Sequence, residues 1–288
     1  MSAALEVIET GPLATVQDLG RVGCAAMGVG AAGAADRGSF QLANRLVGND
    51  EGAAAVELTY GGLVARLRRD VTAAVTGADC PITVDGRAAS MNSVLRVRAG
   101  SVLRLGSPVR GLRSYLAVRG GIDVPPVLGS RASDLLSGLG PESVRPGAVL
   151  PIGAAAKPFP VIGFAPVAEL PSDELVLAVV PGPRDDWFTD SALAILLSEP
   201  YTVTSESNRI GMRLSGPVLT RTREGELPSE GMVPGALQVP PSGVPTLFLA
   251  DHPVTGGYPV IAVVVAADVD RAAQARPGMR IRFMARRR

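Results

Sequence analysis

The chain has 288 residues, and 28 basic against 27 acidic groups leave a net charge of +1, no electrostatic footprint for nucleic acid or an anionic membrane. Glycine (34) and proline (24) are abundant and aromatics reach only 4%, which favours many short strands and tight turns over a helical bundle. A chain of this length buries roughly three-quarters of its unfolded surface and predicts about two domains.

The first well-marked element is a helix. Asp36 is placed to cap it, Phe40, Ala43, Leu46 and Val47 form one apolar stripe, and Gly48 supplies a left-handed stop. Val56, Leu58 and Tyr60 alternate with Glu57 and Thr59, the period of a half-buried strand. Strands follow at Thr72–Val75, Ile82–Val84, Val94–Val97, Val102–Leu105 and Ser114–Val118, with Gly77-Ala78-Asp79 read as a turn and Asp85-Gly86 as a hairpin. From Ile122 to Pro151 the chain reads as loops. Pro151, Pro158, Pro160, Pro166 and Pro171 mark a connector, giving lobes at 1–155 and 173–288 around a linker at 156–172. In the second lobe Leu175–Val180 reads as a buried strand, Ser191–Leu197 as a helix with Asp190 as its cap, and Tyr201–Thr204 as a strand. Ile261–Val265 is a further buried strand, Asp268 caps a short helix through Gln274, and Arg280–Phe283 closes the lobe. The fold class expected is mainly β, two barrel lobes with a few short helices.

Several chemistries lack their residues. The two cysteines, Cys24 and Cys80, give neither a disulfide framework nor a metal site. His252 is the one histidine and stands beside a proline, and no G-x-S-x-G elbow occurs. Lys157 is the one lysine; it follows three alanines, so no G-x-x-x-x-G-K phosphate loop exists. Gly28-Val29-Gly30-Ala31-Ala32-Gly33 matches a dinucleotide fingerprint in letters, but it precedes the helix cap and no clear strand leads in. Met1–Glu6 has no basic region followed by an apolar core, and Val260–Ala267 is too short to span a bilayer, so a cytoplasmic protein is expected.

Polar residues held among glycines and prolines remain. Asp251, Arg209, Arg213 and Tyr258 are the candidate catalytic groups. Asn208, Gln238, Thr255, Asp36, Asn44 and Glu57 are the candidate substrate-binding groups. Arginine offers a fork for a carboxylate and the amides match an amide edge, so a small carboxylate or amide is the expected ligand.

Eight runs carry a resemblance. They are Thr15–Arg21, Ala43–Asn49, Tyr115–Pro125, Leu128–Arg131, Pro181–Arg184, Ser207–Leu214, Gln238–Pro241 and Thr255–Pro259. In this order they resemble the family variously called allophanate hydrolase subunit 2, biotin-dependent carboxyltransferase-like protein and the C subunit of 5-oxoprolinase. The chain departs from the family pattern at Gly140–Gly147 and at Asp251-His252-Pro253-Val254. The resemblance implies cyclophilin-like barrels and a hetero-oligomer with a cyclophilin-like subunit 1, and it leaves room for a third subunit. The activity it implies is ATP-dependent opening of 5-oxoproline to glutamate, with the ATP site on this chain or on a partner. One alternative is carboxyl transfer to a urea-like or amide acceptor, with biotin supplied in trans. Another is a non-catalytic antagonist that binds a kinase-inhibitor type of partner.

Overall fold

The computed structural model describes residues 3–225 and 227–286; Met1 and Ser2, part of the expected leaderless start, lie outside them. The chain divides into two compact units. The first takes residues up to Arg21 with 32–134 and 138–170; the second takes 22–31, 135–137 and the chain from Pro171 onward. Among the described residues the structure is mainly β with three α-helices, none long and apolar enough to cross a membrane.

The first unit contains β1 (Ala3–Thr10), β2 (Leu13–Gln17), α1 (Arg37–Leu46), β3 (Ala55–Thr59), β4 (Leu63–Leu67) and β5 (Val71–Asp79). It continues with β6 (Ile82–Val84), β7 (Arg87–Ala89), β8 (Val94–Val97), β9 (Val102–Leu105), β10 (Arg110–Val118) and β11 (Val149–Pro151). These strands form a six-stranded sheet, β11-β1-β4-β9-β6-β7, and a five-stranded sheet, β2-β3-β10-β5-β8. Alternate residues of both sheets, among them Leu5, Leu63, Leu103, Val75 and Leu116, meet in one apolar core. The helix α1 covers the opposite face of the five-stranded sheet, where Phe40, Ala43 and Leu46 pack with Ala74, Tyr115 and Ala117. Its stripe, its Asp36 cap (Ser39 N to Oδ1, 2.9 Å) and its Gly48 stop (φ +70°) are as the pattern predicts.

Two local expectations change. Gly77 does not end a strand: β5 runs through it at φ +90°, where the pairing with β10 shifts register. A Cβ there would meet Arg113 O at 2.4 Å, so the glycine serves a bulge. β3 is buried on both faces rather than one, because α1 and its lead-in cover the side that alternation assigns to solvent. Asp85 (φ +50°) and Gly86 (φ +77°) do form the two-residue turn between β6 and β7. Residues 156–170, read as part of a connector, are fastened to the first unit. Val94 N donates to Gly163 O and Ala165 N to Asn92 O, at 2.8 and 2.9 Å, and Glu169 pairs with Arg110.

The second unit holds β12 (Glu174–Pro181), α2 (Asp190–Ser198), β13 (Tyr201–Val203), β14 (Gly211–Ser215), β15 (Glu230–Gly231) and β16 (Ala236–Gln238). It ends with β17 (Thr246–Phe248), β18 (Thr255–Gly256), β19 (Val260–Val264), α3 (Ala266–Ala272) and β20 (Arg280–Ala285). Seven strands close into a barrel in the order β12-β19-β16-β17-β14-β13-β20, sealed by parallel pairing of β12 with β20. In β12, Leu175, Leu177 and Val179 face the core while Val176 and Val180 stay 38% exposed. The run therefore alternates faces despite its uniform apolar letters, as a barrel wall must. Asp268 is not the cap of α3; Val265 holds that position and Asp268 Oδ2 accepts from Ala178 N at 2.7 Å, tying the helix to β12.

Tyr201 is fully buried and donates to Pro217 O at 3.2 Å. Burial, with the Glu199 carboxylate adding, pushes its phenol up to about 12. An unfolded tyrosine ionises near pH ~10, so the raised folded value stabilises the protein below that pH and the contribution is lost as pH climbs toward about 12. Thermal melts from pH 9 to 12 should fall less steeply for Tyr201→Phe than for the parent. Equal slopes would show that this phenol does not control alkaline stability.

Candidate functional site

In the second unit Arg209 and Asp251 meet across 42 residues of sequence as a two-pronged ion pair. Nε donates to Oδ2 at 2.9 Å and Nη2 to Oδ1 at 2.8 Å. The side chains are 1% and 0% exposed, and Leu135 N adds a third donor to Oδ2 at 3.2 Å. Such a fork satisfies both ions in a low-dielectric setting, where either alone is costly. Asp251 N also donates to Arg209 O (3.0 Å), so two loops are stapled together by side chain and backbone alike. Both ions of the pair are thus satisfied within the protein. Asn208 caps the adjoining turn, its Oδ1 accepting from Ile210 N (2.8 Å) and Gly211 N (3.2 Å). Arg213 lies on the exposed face of β14, opposite Thr246, and makes no ion pair among the described residues. His252, seven per cent exposed, stacks on Phe248 with ring centres 6.2 Å apart.

A second group forms around β16 and β18. Gln238 Nε2 donates to Tyr258 O at 3.2 Å and rests 3.9 Å from Met232 Sδ. The Tyr258 ring lies under the Arg221 guanidinium, 5.8 Å from its centroid. Arg221 Nη2 donates to Val239 O while its Nε is buried without a partner, and burial lowers the guanidinium's pKa. Arg184 pairs with Glu230 beside this group, which holds the carboxylate below its usual range. Thr255 is exposed on β18. Arg221 is the residue sequence reasoning missed, since no motif or spacing distinguishes it from the other arginines. Gln238 and Tyr258 come together as expected, while the Asn208 side chain is spent on its own turn and Arg213 and Thr255 are exposed on their strands.

The first unit gathers Asp36 and Glu57 around Tyr115. Tyr115 Oη donates to Glu57 Oε2 (2.9 Å) and accepts from Asp36 N (2.7 Å), while Ala35 N donates to Glu57 Oε2 (3.0 Å). Arg113 approaches Glu57 at 3.7 Å. Burial and the two carboxylates raise the Tyr115 phenol well above its ordinary value, so it remains a donor. Asn44 belongs elsewhere. It donates to Ala53 O (2.8 Å) and accepts from Asn49 Nδ2 (3.0 Å). Gln17, Asp18 and Arg21 converge on the loop at 127–134. Asp18 accepts from Ser130 Oγ and Arg131 N, both at 2.6 Å, and Arg21 donates to Ala132 O at 2.5 Å. Gln17 Oε1, Arg21 Nη1 and Ser133 Oγ are buried there without hydrogen-bond partners. Ser130 falls in the Leu128–Arg131 run that carries the family resemblance, whereas no run or motif marks Ser133. No cluster of metal-ligating side chains occurs among the described residues.

Removing one member of the Arg209–Asp251 pair strands the other, so Arg209→Met or Asp251→Asn should each cost roughly 3–5 kcal/mol in urea unfolding. The double variant Arg209→Met/Asp251→Leu should lose less than the sum of the single losses. Strict additivity would mean that the two ions do not depend on each other.

Residues 27–285 match the family model described as carboxyltransferase domain, subdomain A and B. The chain is 40% identical over 283 residues to the C subunit of 5-oxoprolinase from Escherichia coli, an alignment that covers 97% of this chain and 90% of that one. The solved structure of TTHA0988 superposes with a TM-score of 0.89 at 37% identity, over 98% of this chain and 55% of that one. The urea amidolyase of Kluyveromyces lactis superposes with a TM-score of 0.90 at 30% identity, over 98% of this chain and 18% of that one. The chain therefore spans about half of one solved relative and under a fifth of the other. With nearly all of its length aligned, the chain belongs to the carboxyltransferase-domain family, subdomain A and B.

Proposed function

We propose that the chain is a subunit of an ATP-dependent 5-oxoprolinase, hydrolysing the lactam amide of 5-oxoproline to glutamate together with a cyclophilin-like partner subunit. The observation that carries this reading is the match to the 5-oxoprolinase C subunit, at 40% identity over 90% of that protein's own length. Opening a lactam requires its carbonyl to be activated and the developing negative charge to be stabilised. Phosphorylation by ATP is the activation this reading invokes. The chain's own contribution is donors: Arg221 beside Gln238 and Tyr258 supplies a guanidinium and an amide for an anionic, amide-bearing ligand. The Arg209–Asp251 pair acts by holding its loops, since both ions are already satisfied. The chain has no lysine phosphate loop, so any polyphosphate held here relies on arginine.

The second reading is carboxyl transfer to an amide or urea-like acceptor, favoured by the family's own description and by the urea amidolyase relative. Lys157 is exposed, ion-paired with Asp50 and followed by Pro158, an unsuitable setting for a carried biotin. Biotin would therefore arrive on another protein.

Purified chain mixed with the subunits encoded beside it should release glutamate from 5-oxoproline with ATP, and omission of this chain should abolish release. Arg221→Gln should reduce turnover about tenfold or more, on the scale of one lost charge-stabilising donor. Partner binding without turnover would point instead to an antagonist, and biotin on a co-purifying protein with bicarbonate-dependent activity would point to carboxyl transfer.

A further inference from the structure

Within the first unit, a groove of about 690 Å³ opens beside the five-stranded sheet and is lined by Arg69, Arg96, Arg98 and Arg119 with Asp70 and Thr72. Its position follows from strand register. Thr72 stands opposite Arg96 on β8, and Arg119 N donates to Thr72 O at 2.8 Å. Arg96, Thr72 and Arg119 thus form one row across three strands, and residues in such a row share a face. Two interstrand spacings separate the outer members, about 10 Å between their backbones. Arg98 follows directly after the end of β8 and lines the same groove. This is the face that α1 covers at Ala74 and Tyr115; at the Thr72 end the arginines take the helix's place.

Among the described residues none of the four arginines forms an ion pair. Arg69 donates to Ile152 O at 3.3 Å, and Arg119 donates to Val47 O (2.9 Å) and Lys157 O. Arg96 and Arg98 are exposed without a side-chain partner among the described residues. The one lining carboxylate, Asp70, already accepts from Ala99 N at 2.8 Å. Four arginines therefore line a concave site with a single, occupied counter-charge, Arg119 with its guanidinium also lying over the Phe159 ring, 5.2 Å from its centroid.

Arg119 is not a loose surface residue. Asn49 Nδ2 donates to Val118 O and its Oδ1 accepts from Gly120 N, both at 2.8 Å. Asn44 fixes Asn49 in turn. The motif at Ala43–Asn49 thus clamps the turn that carries Arg119, and Gly48 leaves the space: a Cβ there would meet Arg119 Nη1 at 2.6 Å. An arginine preorganised in this way has little ordering entropy left to lose on binding.

We propose that this groove binds a small multiply charged phosphate ligand, of the nucleoside-triphosphate or polyphosphate class. Guanidinium forks match phosphate oxygens in pairs, and the volume is that of a small-molecule site. The proposal stands on the groove and does not require the oxoprolinase reading.

Calorimetric titration of the purified chain at low salt tests it, with inorganic tripolyphosphate, ATP and AMP as probes. Tripolyphosphate and ATP should bind saturably and AMP at least tenfold more weakly. R96Q/R98Q, which alters exposed side chains and should melt with the parent, should weaken both strong ligands tenfold or more. R87Q/R104Q, which removes two exposed arginines outside the groove, should leave binding unchanged. The proposal is overturned by absence of saturable binding, by AMP binding as well as ATP, or by equal losses in the two variants. Polyglutamate binding more tightly than tripolyphosphate through Arg96 and Arg98 would also overturn it, in favour of an acidic protein surface.

Discussion

A guanidinium taken out of water must be met by oxygen, and this chain, with almost no lysine, meets that demand repeatedly. Arg209 is met by both oxygens of Asp251, and the loops at 209 and 251 are fixed by the same contact. Arg21 is met by the carbonyl of Ala132, which orders the loop at 127–134. Arg119 is met by Val47 O and Lys157 O, which join α1 to the segment after residue 155. In each case the arginine is a strut for irregular backbone. Carbonyl dipoles answer a guanidinium's protons but leave its net charge in place, whereas a carboxylate cancels it.

That difference separates two kinds of arginine. The Arg209–Asp251 pair is neutral as a unit and buried, so its field on a ligand is short in range. The four arginines of the first-unit groove keep their charge, with no ion pair among the described residues, and Arg96 and Arg98 are exposed, so an anion there replaces water. Arg221 stands between these cases. It is held by a carbonyl and an aromatic face, with one buried N–H to spare. Affinity for an anion should therefore concentrate at the groove and at Arg221, not at the pair that the sequence makes most conspicuous.

The sequence reveals much of the fold because its local signals agree. Asp36, the Phe40–Val47 stripe and Gly48 all specify α1, and Asp85-Gly86 specifies its hairpin. What it hides depends on neighbours distant in the chain. Gly77 reads as a turn until β10 is known to press against it. Glu57 reads as solvent-facing until Tyr115, 58 residues away, lies over it. Val176 reads as buried until the barrel closes and gives β12 an outside. At the site, glycine and proline around Arg209 and Asp251 marked both residues, but nothing local said that they neutralise each other. Arg96 and Arg98 look like any outward residues of a strand; only the register to Thr72 and Arg119 makes them a group.

The near-absence of lysine and histidine bears on what work this polypeptide performs. Arginine keeps its proton across the physiological range, so it binds and stabilises charge but does not shuttle protons. The buried phenols of Tyr115 and Tyr201 are both held protonated. Asp251 and Glu57 are committed to Arg209 and Tyr115. A reaction run on such a surface gains chiefly from orientation and electrostatic stabilisation, terms that need fixed donors rather than titrating ones. A chain built this way is suited to holding a ligand while a reactive group arrives from elsewhere.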